Sequence, residues 1–235
     1  MKSLIALALG LGVAAASQGA AQDRGKAPVV VELYTSQGCS SCPPADAVMA
    51  GLAQRPDVIA LALHVDYWDY IGWKDTFADA AYAKRQRAYA RVAGARTVYT
   101  PQMIVGGMDH LVGVREDELE ALIRRFSARP VPVALTLGRK GATVRIEARA
   151  DMPVPGGAVV QLVRYTPKAS VAIERGENAG HRIDYANIVT DWNAVADWDG
   201  AEPLSLDVEA PGEAPVVVIV QKPGPGPILA AAVLK

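Results

Sequence analysis

The stretch VVVELYTSQGCSSCPPAD, residues 29–46, determines how the first half of the chain is expected to fold. It begins with a β-branched apolar run, which is typical of a strand buried on both faces of a parallel sheet. Cys39 and Cys42, the two cysteines of the chain, lie in the turn after this strand. Open α/β sheets place their chemistry at the carboxyl ends of strands, so we expect the functional site at this turn.

A single Cys-x-x-Cys pair between a strand and a helix indicates thiol-disulfide chemistry, whereas two such pairs would have indicated zinc. A structural disulfide is one alternative, but closing so short a loop stabilises a protein by only about 2 kcal/mol, against about 4.7 for a 100-residue loop. Metal binding by the pair is a further, minor alternative. Redox chemistry is therefore the leading prediction for Cys39 and Cys42.

The pattern after the motif predicts an α/β domain. Helical spacing at residues 44–54 and a second apolar strand at residues 58–65 give a βαβ unit with a right-handed crossover. Because a residue before proline avoids the α region, we expect the first helix to start near Pro44, with Cys42 outside it. A second helix is predicted at residues 75–93. Its basic side chains are interpreted as a solvated face: Lys84, Arg85, Arg87 and Arg91.

A ββα unit completes this half of the chain. Residues 98–105 are predicted to be a strand, and Pro101 within it indicates an edge or a special position, which a cis peptide bond would explain. A glycine turn, a short strand at residues 110–114 and a helix at residues 116–129 follow.

Four aromatic residues lie within nine positions after the second strand: Tyr67, Trp68, Tyr70 and Trp73. Amphipathic aromatic side chains beside a functional turn suit the binding of a partner. They could equally cover the edge of the sheet as part of the core. Both interpretations stay open at this point.

This order of elements over residues 28–129 is similar to the thioredoxin fold. The segments TSQGCSSCPPAD and YTPQMIVGG further resemble a family of secreted bacterial thioredoxin-like proteins catalogued as a domain of unknown function. The resemblance implies that Cys39 is the exposed attacking thiol, Cys42 the buried resolving thiol and Pro101 a cis-proline facing them. It also implies that Thr100 offers its backbone to an extended substrate. With Tyr67 and Trp68 it would form the substrate-binding surface.

The second half of the chain changes to a period of two residues after a proline-rich linker at residues 129–132. Short alternating or apolar runs, separated by glycine and proline turns, predict an all-β domain of seven or eight strands at residues 133–235. The expected fold class is thus an α/β thioredoxin-like domain followed by a mostly antiparallel β-sandwich-like domain. Glu177 and Asn178 are interpreted as turn-forming residues.

The amino terminus predicts export. Lys2, an apolar run at residues 4–16 and small residues before Ala21 are typical of a signal peptide spanning residues 1–21. No later run approaches the roughly 18 residues of a membrane-spanning helix, so we expect a periplasmic or secreted protein without a membrane span. Removing Lys2 leaves 23 basic and 25 acidic residues. This balance gives no electrostatic reason to expect nucleic acid as a partner.

These features predict a thiol-disulfide oxidoreductase that acts on protein or small-molecule thiols, with a separate redox recycling partner and with neither a cofactor nor a metal. One alternative is a Cu(I) metallochaperone, because thiolates select Cu(I) and a histidine could supply a third ligand. We expect neither His64 nor His110 to reach both sulfurs. Another alternative is a binding module with a vestigial or regulatory thiol pair.

Overall fold

The computed structural model describes residues 18–21 and 27–235, and the side chains of residues 27–235. The first half of the chain supplies the strands β2 (Val29–Thr35), β3 (Val58–His64), β4 (Gln102–Val105) and β5 (Asp109–Val112). It also supplies the helices α1 (Pro43–Leu52), α2 (Ala80–Val92) and α3 (Glu116–Ser127), and a 3₁₀ turn at Asp69–Ile71.

The second half is built from strands. They are β6 (Val133–Lys140), β7 (Thr143–Ala150), β8 (Ala158–Ala172), β9 (Arg182–Trp198), β10 (Leu204–Glu209), β11 (Val216–Gln221) and β12 (Ile228–Leu234). A short strand β1 (Gln18–Ala21) precedes all of these in the chain and pairs antiparallel with β6.

One large mixed sheet joins the two halves of the chain. Among the described residues its strand order is β12-β11-β8-β9-β3-β2-β4-β5, and a four-stranded sheet has the order β1-β6-β7-β10. The junction lies where β9 meets β3, with Ala62 opposite Ile188 in parallel register. Asn187 adopts a positive φ of 48° and donates a hydrogen bond of 2.9 Å to the carbonyl of Ala60. This side chain therefore ties the second half of the chain to the centre of the first.

The predicted fold class is wrong. We expected a thioredoxin-like α/β domain followed by a separate β-sandwich-like domain, but strands from both halves belong to the same eight-stranded sheet. The reason is the length of β8 and β9, which have 15 and 17 residues and extend beyond the short runs visible in the sequence. The predicted boundaries at residues 28–129 and 133–235 stay a prediction.

Two faces of the large sheet bury different helices. The alternate residues Val29, Val31 and Leu33 pack with α1 and α3, and Val30 and Tyr34 pack with α2. All seven residues of β2 are buried, as expected for a strand covered on both sides. The four-stranded sheet packs on β8, β11 and β12 in a third apolar cluster. Strand β2 therefore lies between two packed layers, and its carboxyl end leads into the cysteine turn.

Helix α1 begins one residue earlier than predicted. Pro43 is its first residue, and Cys42 is its N-cap in the right-handed helical region, with φ −82° and ψ −35°. Proline is tolerated at this position because its missing N–H would have no partner within the helix. The carbonyl of Cys42 accepts hydrogen bonds from the backbone N–H groups of Ala45 and Asp46. The second cysteine is therefore part of the helix start, contrary to our expectation.

Residues 1–17 of the predicted signal peptide lie outside the described residues, and residues 18–21 form β1. Cleavage after Ala21 would remove this strand from the mature chain. No helix in the described part of the chain combines the length and the apolar character that a membrane crossing requires.

Candidate redox site

Cys39 and Cys42 form a disulfide in a tight turn between β2 and α1. Their Cα atoms lie 5.4 Å apart, within the range that a disulfide requires, as we predicted from the spacing. The N–H of Cys39 donates to the carbonyl of Ser36, and the N–H of Cys42 donates to the carbonyl of Cys39, each at 3.1 Å. The strand end and the helix start thus fix the pair from both sides.

Both cysteines are buried. Cys39 is 1% exposed and Cys42 is fully buried, so the order of exposure is as expected but the predicted exposed thiol is not observed. Ser40 and Ser41 take the outer side of the turn and are exposed. The hydroxyl of Ser41 lies 3.4 Å from Sγ of Cys39. In this conformation a thiol in solution has little access to either sulfur.

The Thr100–Pro101 peptide bond is cis, which confirms the prediction from the resemblance. Pro101 is buried and precedes Gln102, which pairs with Tyr34 near the end of β2. A Cβ on Gly113 would lie 2.8 Å from Cβ of Ala45 in α1 and 3.2 Å from Cβ of Pro101. The proline therefore packs close to the first turn of α1, which starts at the second cysteine.

Trp68 connects this proline loop to the cysteine turn. Its indole Nε1 donates a hydrogen bond of 2.7 Å to Oγ1 of Thr100. A Cβ on Gly38 would lie 3.2 Å from Cβ of Trp68, so glycine permits the close approach. Tyr67 donates through its hydroxyl to Gln86 of α2. Both aromatic side chains are half-buried, and they belong to the packing around α2 as well as to the rim of the site.

A buried polar cluster lies behind the cysteine turn. Oγ1 of Thr35 donates a hydrogen bond of 2.8 Å to Oδ1 of Asp46, which lies four residues after Cys42. Nδ1 of His64, at the end of β3, lies 2.7 Å from Oδ2 of Asp75. The four side chains are inaccessible to solvent or nearly so. A strand end, a helix start and a loop thus bring three titratable groups together.

Burial raises the pKa of Asp46 to about 7, although the nearby His64 and the hydrogen bond from Thr35 act in the opposite direction. Among the described residues there is no hydrogen-bond partner for Oδ2 of Asp46, Nε2 of His64 or the hydroxyl of Tyr185. The rings of His64 and Tyr185 are in edge contact at 4.9 Å. Burial is the main cause that raises the pKa of Tyr185, and the nearby Asp46 and Asp75 add to it. Asp46 can therefore bind and release a proton close to neutral pH.

Gln37 links this cluster to the outer loop. Its backbone N–H donates 2.8 Å to Oδ2 of Asp75, the oxygen that also faces His64. Its side-chain oxygen accepts a hydrogen bond of 2.8 Å from Nε1 of Trp73. The residue before Gly38 is therefore anchored by both its backbone and its side chain.

Asn178 belongs to the site, which our turn-forming interpretation missed. Its Nδ2 donates 2.9 Å to the carbonyl of Gln37 and 3.0 Å to the carbonyl of Cys39. Oε2 of Glu177 accepts from the backbone N–H of Ser40 at 3.3 Å. The two residues lie in the tip of the β8–β9 hairpin, more than 130 positions away in sequence. An Asn in a glycine-rich turn gives no signal that could have located this contact.

The two histidines considered as metal ligands have other partners. His64 is held by Asp75, and Nδ1 of His110 lies 3.3 Å from Nε2 of Gln102, beside the ring of Tyr89. Burial lowers the pKa of His110. Within the described residues, no group of three or more His, Cys, Asp or Glu side chains is placed to hold a metal ion.

Arg85 does not belong to a solvated face, contrary to our expectation. Its Nε and Nη2 each lie 2.8 Å from the carboxylate of Glu32 at the centre of β2. The same carboxylate accepts a hydrogen bond of 2.6 Å from the hydroxyl of Tyr89. The guanidinium lies 3.8 Å from the ring centroid of Trp192 on β9. Burial lowers the pKa of Arg85, but Glu32, Tyr89 and Tyr34 together outweigh this effect and the pKa is raised. The pair holds α2 against strands from both halves.

Comparison with known proteins gives relatives without a stated activity. The sequence model of a family described as "Protein of unknown function (DUF1223)" matches residues 30–221, a range that includes both cysteines, Pro101 and Asn178. A crystal structure of an Agrobacterium tumefaciens protein has 34% identity and a TM-score of 0.73, covering 88% of this chain and 93% of that one. HBP35 of Porphyromonas gingivalis has 14% identity and a TM-score of 0.61, covering 89% and 75%, and is similar in fold alone. No curated protein sequence matches the chain.

Proposed function

This chain belongs to the DUF1223 family of proteins of unknown function, and we propose that it is a thiol-disulfide oxidoreductase whose Cys39 and Cys42 exchange electrons with protein or small-molecule thiols. The observation that carries the proposal is the combination of the Cys-x-x-Cys disulfide with a buried carboxyl group whose pKa is about 7. A purely structural disulfide would not require such a group, because burying a carboxyl oxygen without a hydrogen-bond partner costs stability.

The exchange proceeds in two displacements. A thiolate of the substrate attacks Sγ of Cys39, the bond to Cys42 breaks, and Cys42 leaves as a thiolate. The second thiolate of the substrate then attacks the substrate sulfur of the mixed disulfide, which releases Cys39 as a thiolate. The substrate is oxidised to a disulfide and the pair is reduced by two electrons. The same steps in reverse reduce a substrate disulfide, and the recycling partner determines the net direction.

Asp46 handles the proton in this scheme. Its backbone N–H donates to the carbonyl of Cys42, so the carboxyl group belongs to the helix turn that starts at the leaving sulfur. With a pKa of about 7 it is protonated for a substantial part of the time at neutral pH and can donate to the departing thiolate. His64 and Asp75 form a contact of 2.7 Å next to it, and Asp75 extends the buried polar contacts to the backbone N–H of Gln37.

Substrate binding is assigned to the loop of Thr100 and Pro101 with Tyr67 and Trp68. The hydrogen bond from Trp68 to Oγ1 of Thr100 fixes the side chain of that loop, so that an extended substrate can pair with its backbone. This arrangement of a cysteine turn and a cis-proline resembles the redox turn of thioredoxin-like proteins. The leader-like sequence at residues 1–21 supports a place of action outside the cytoplasm, where disulfides persist.

Two activity assays test the proposal. The purified protein is expected to accelerate the reduction of insulin by dithiothreitol, or the oxidative refolding of a reduced disulfide protein by glutathione disulfide. The variant with both Cys39→Ser and Cys42→Ser is expected to show no acceleration. Equal rates with the wild type and the double variant in both assays would refute the proposal. Stoichiometric Cu(I) binding by the reduced wild type without any exchange activity would favour the metallochaperone instead.

A further inference from the structure

The tip of the β8–β9 hairpin, residues 174–181, lies against the redox turn. Asn178 is 6% exposed and donates to carbonyls on both sides of Gly38, those of Gln37 and Cys39. Glu177 accepts from the N–H of Ser40, the next residue. A Cβ on Gly176 would lie 3.2 Å from Cβ of Trp73, whose indole donates to Gln37. The tip therefore contacts Gln37, Cys39 and Ser40 of the turn, and Trp73 beside it.

The tip is held mainly by these polar contacts. Glu174, Arg175, Glu177, Ala179 and Gly180 are exposed, and backbone hydrogen bonds inside the tip connect its own residues, such as Ala179 to Gly176. A segment with few buried apolar contacts opens at low free-energy cost. The turn, in contrast, is anchored below by β2 and α1. When the two separate, we expect the hairpin tip to move and the base of the turn to stay.

Access to Cys39 is the step that such a movement would control. Thiol-disulfide exchange requires a thiolate to approach the sulfur directly. Cys39 is 1% exposed, and the peptide groups that flank it are held by Asn178 through its carbonyl and by Glu177 through the following N–H. Both bonds oppose an outward rotation of the turn that would present its sulfur.

We propose that Asn178 is a positioning residue that holds the redox turn in its closed, oxidised form, and that the hairpin tip must open before a thiol can attack Cys39. This inference rests on the proposed function for its biological meaning, but its test does not require catalytic activity. It makes the second half of the chain a regulator of access to the cysteines of the first half.

The test measures how fast excess dithiothreitol reduces the disulfide of the whole protein. One thiolate of dithiothreitol attacks Cys39, Cys42 leaves, and the second thiolate closes the reagent to its cyclic disulfide, leaving both cysteines reduced. Samples are quenched with an alkylating reagent, and the mass of the protein reports the reduced fraction. If opening precedes attack, the rate in the wild type reaches a plateau at high dithiothreitol concentration, and the plateau equals the opening rate.

Asn178→Ala is expected to raise the plateau, or to abolish saturation, with at least a tenfold faster reduction, roughly the effect of losing a buried hydrogen-bonded pair. Asn193→Ala is the matched control. Asn193 lies on the same hairpin and is exposed, and its Nδ2 donates a long hydrogen bond of 3.4 Å to Oδ1 of Asp191. Its reduction rate is expected to equal that of the wild type.

Two results would overturn the proposal. One is a wild-type rate that stays proportional to dithiothreitol concentration up to the highest concentration used. The other is saturation with the same plateau in both proteins. The wild-type measurement needs no variant, and it applies even if Asn178→Ala fails to fold. Saturation without any insulin reduction or refolding activity would support the closed turn and refute the oxidoreductase, so the two failures are distinguishable.

Discussion

Oγ1 of Thr35 donates a hydrogen bond of 2.8 Å to Oδ1 of Asp46, so the last residue of β2 is tied to the first turn of α1 across the base of the cysteine turn. The other oxygen of Asp46 has no hydrogen-bond partner in the part of the chain that the structure describes. Strand and helix thus hold a carboxyl group in a position where its ionised form is poorly solvated. Predictions about the pH dependence of stability and about the proposed chemistry both follow from this contact.

Asp46→Asn is expected to remove a pH dependence of stability. The folded pKa of about 7 exceeds the ordinary value of 3.8, so the folded protein keeps a proton that the unfolded chain has released. The contribution of Asp46 is therefore complete below about pH 4 and is lost as the pH rises to about 7. Between pH 5 and pH 7 the wild type should lose roughly 2 kcal/mol more than the variant, at no more than about 1.4 kcal/mol per pH unit.

Urea unfolding of both oxidised proteins at a series of pH values measures this difference. Asp197→Asn, at an exposed position of β9, is the control and should follow the wild type. Parallel curves for the wild type and Asp46→Asn would show that Asp46 ionises normally in the folded protein.

Asp46→Asn is also expected to slow exchange, by about a hundredfold, because general acid catalysis contributes at least that much in typical enzymes. The asparagine keeps an oxygen that accepts from Thr35 but cannot donate a proton to the Cys42 thiolate. The pH profile of insulin reduction by the wild type should change slope near pH 7, and the profile of the variant should lack this change. A variant that is slower but keeps the inflection would assign the proton to another group.

Arg85→Met is expected to destabilise the protein by about 3–5 kcal/mol, because it leaves the carboxylate of Glu32 buried without its cation. Arg87→Met is the matched control. Arg87 lies on the same helix but is exposed, so its replacement should change the free energy of unfolding by no more than about 0.5 kcal/mol. Urea unfolding at neutral pH compares the two. Equal losses would mean that the pair contributes no more than a surface charge.

Trp68→Phe is expected to raise KM for a disulfide substrate several-fold, because the loop of Thr100 loses the hydrogen bond that fixes it. Trp198→Phe is a matched change, since Trp198 also donates one hydrogen bond, to the carbonyl of Glu202 in the second half. Both variants should lose a similar amount of stability, about 1 kcal/mol for the bond. A similar rise of KM in both would show that Trp68 acts only through the stability of the whole fold.

Local signals in the sequence identified the centre of the site. The Cys-x-x-Cys pair after an apolar run depends on a few neighbouring residues, and the structure has a disulfide there. The cis bond at Thr100–Pro101 was expected from the family resemblance and is also present. The prediction that Cys42 avoids the helical region was wrong, because the preference of a residue before proline is a tendency. Hydrogen bonds to the carbonyl of Cys42 overcame it.

Long-range contacts could not be predicted in the same way. Asn178 donates to a carbonyl 139 positions earlier in the chain, and a glycine-rich turn looks the same whether or not it has a distant partner. The pairing of Ile188 with Ala62 likewise depends on the length of β9, which alternating polar residues concealed. The two-domain prediction was wrong for this reason, since no local pattern indicates that two strands far apart in sequence share a sheet.

Trapping of the mixed disulfide tests the central claim most directly. Cys42→Ser removes the resolving thiol, so incubation with a disulfide substrate should leave the substrate bound to Cys39, and mass spectrometry should locate the added mass on the peptide containing that residue. Cys39→Ser should not accumulate such a species, because the proposed opening presents Cys39, whereas Cys42 stays buried as the N-cap of α1. Accumulation on both variants to the same extent, or on neither while the wild type remains folded, would contradict the assignment of Cys39 as the exchanging thiol.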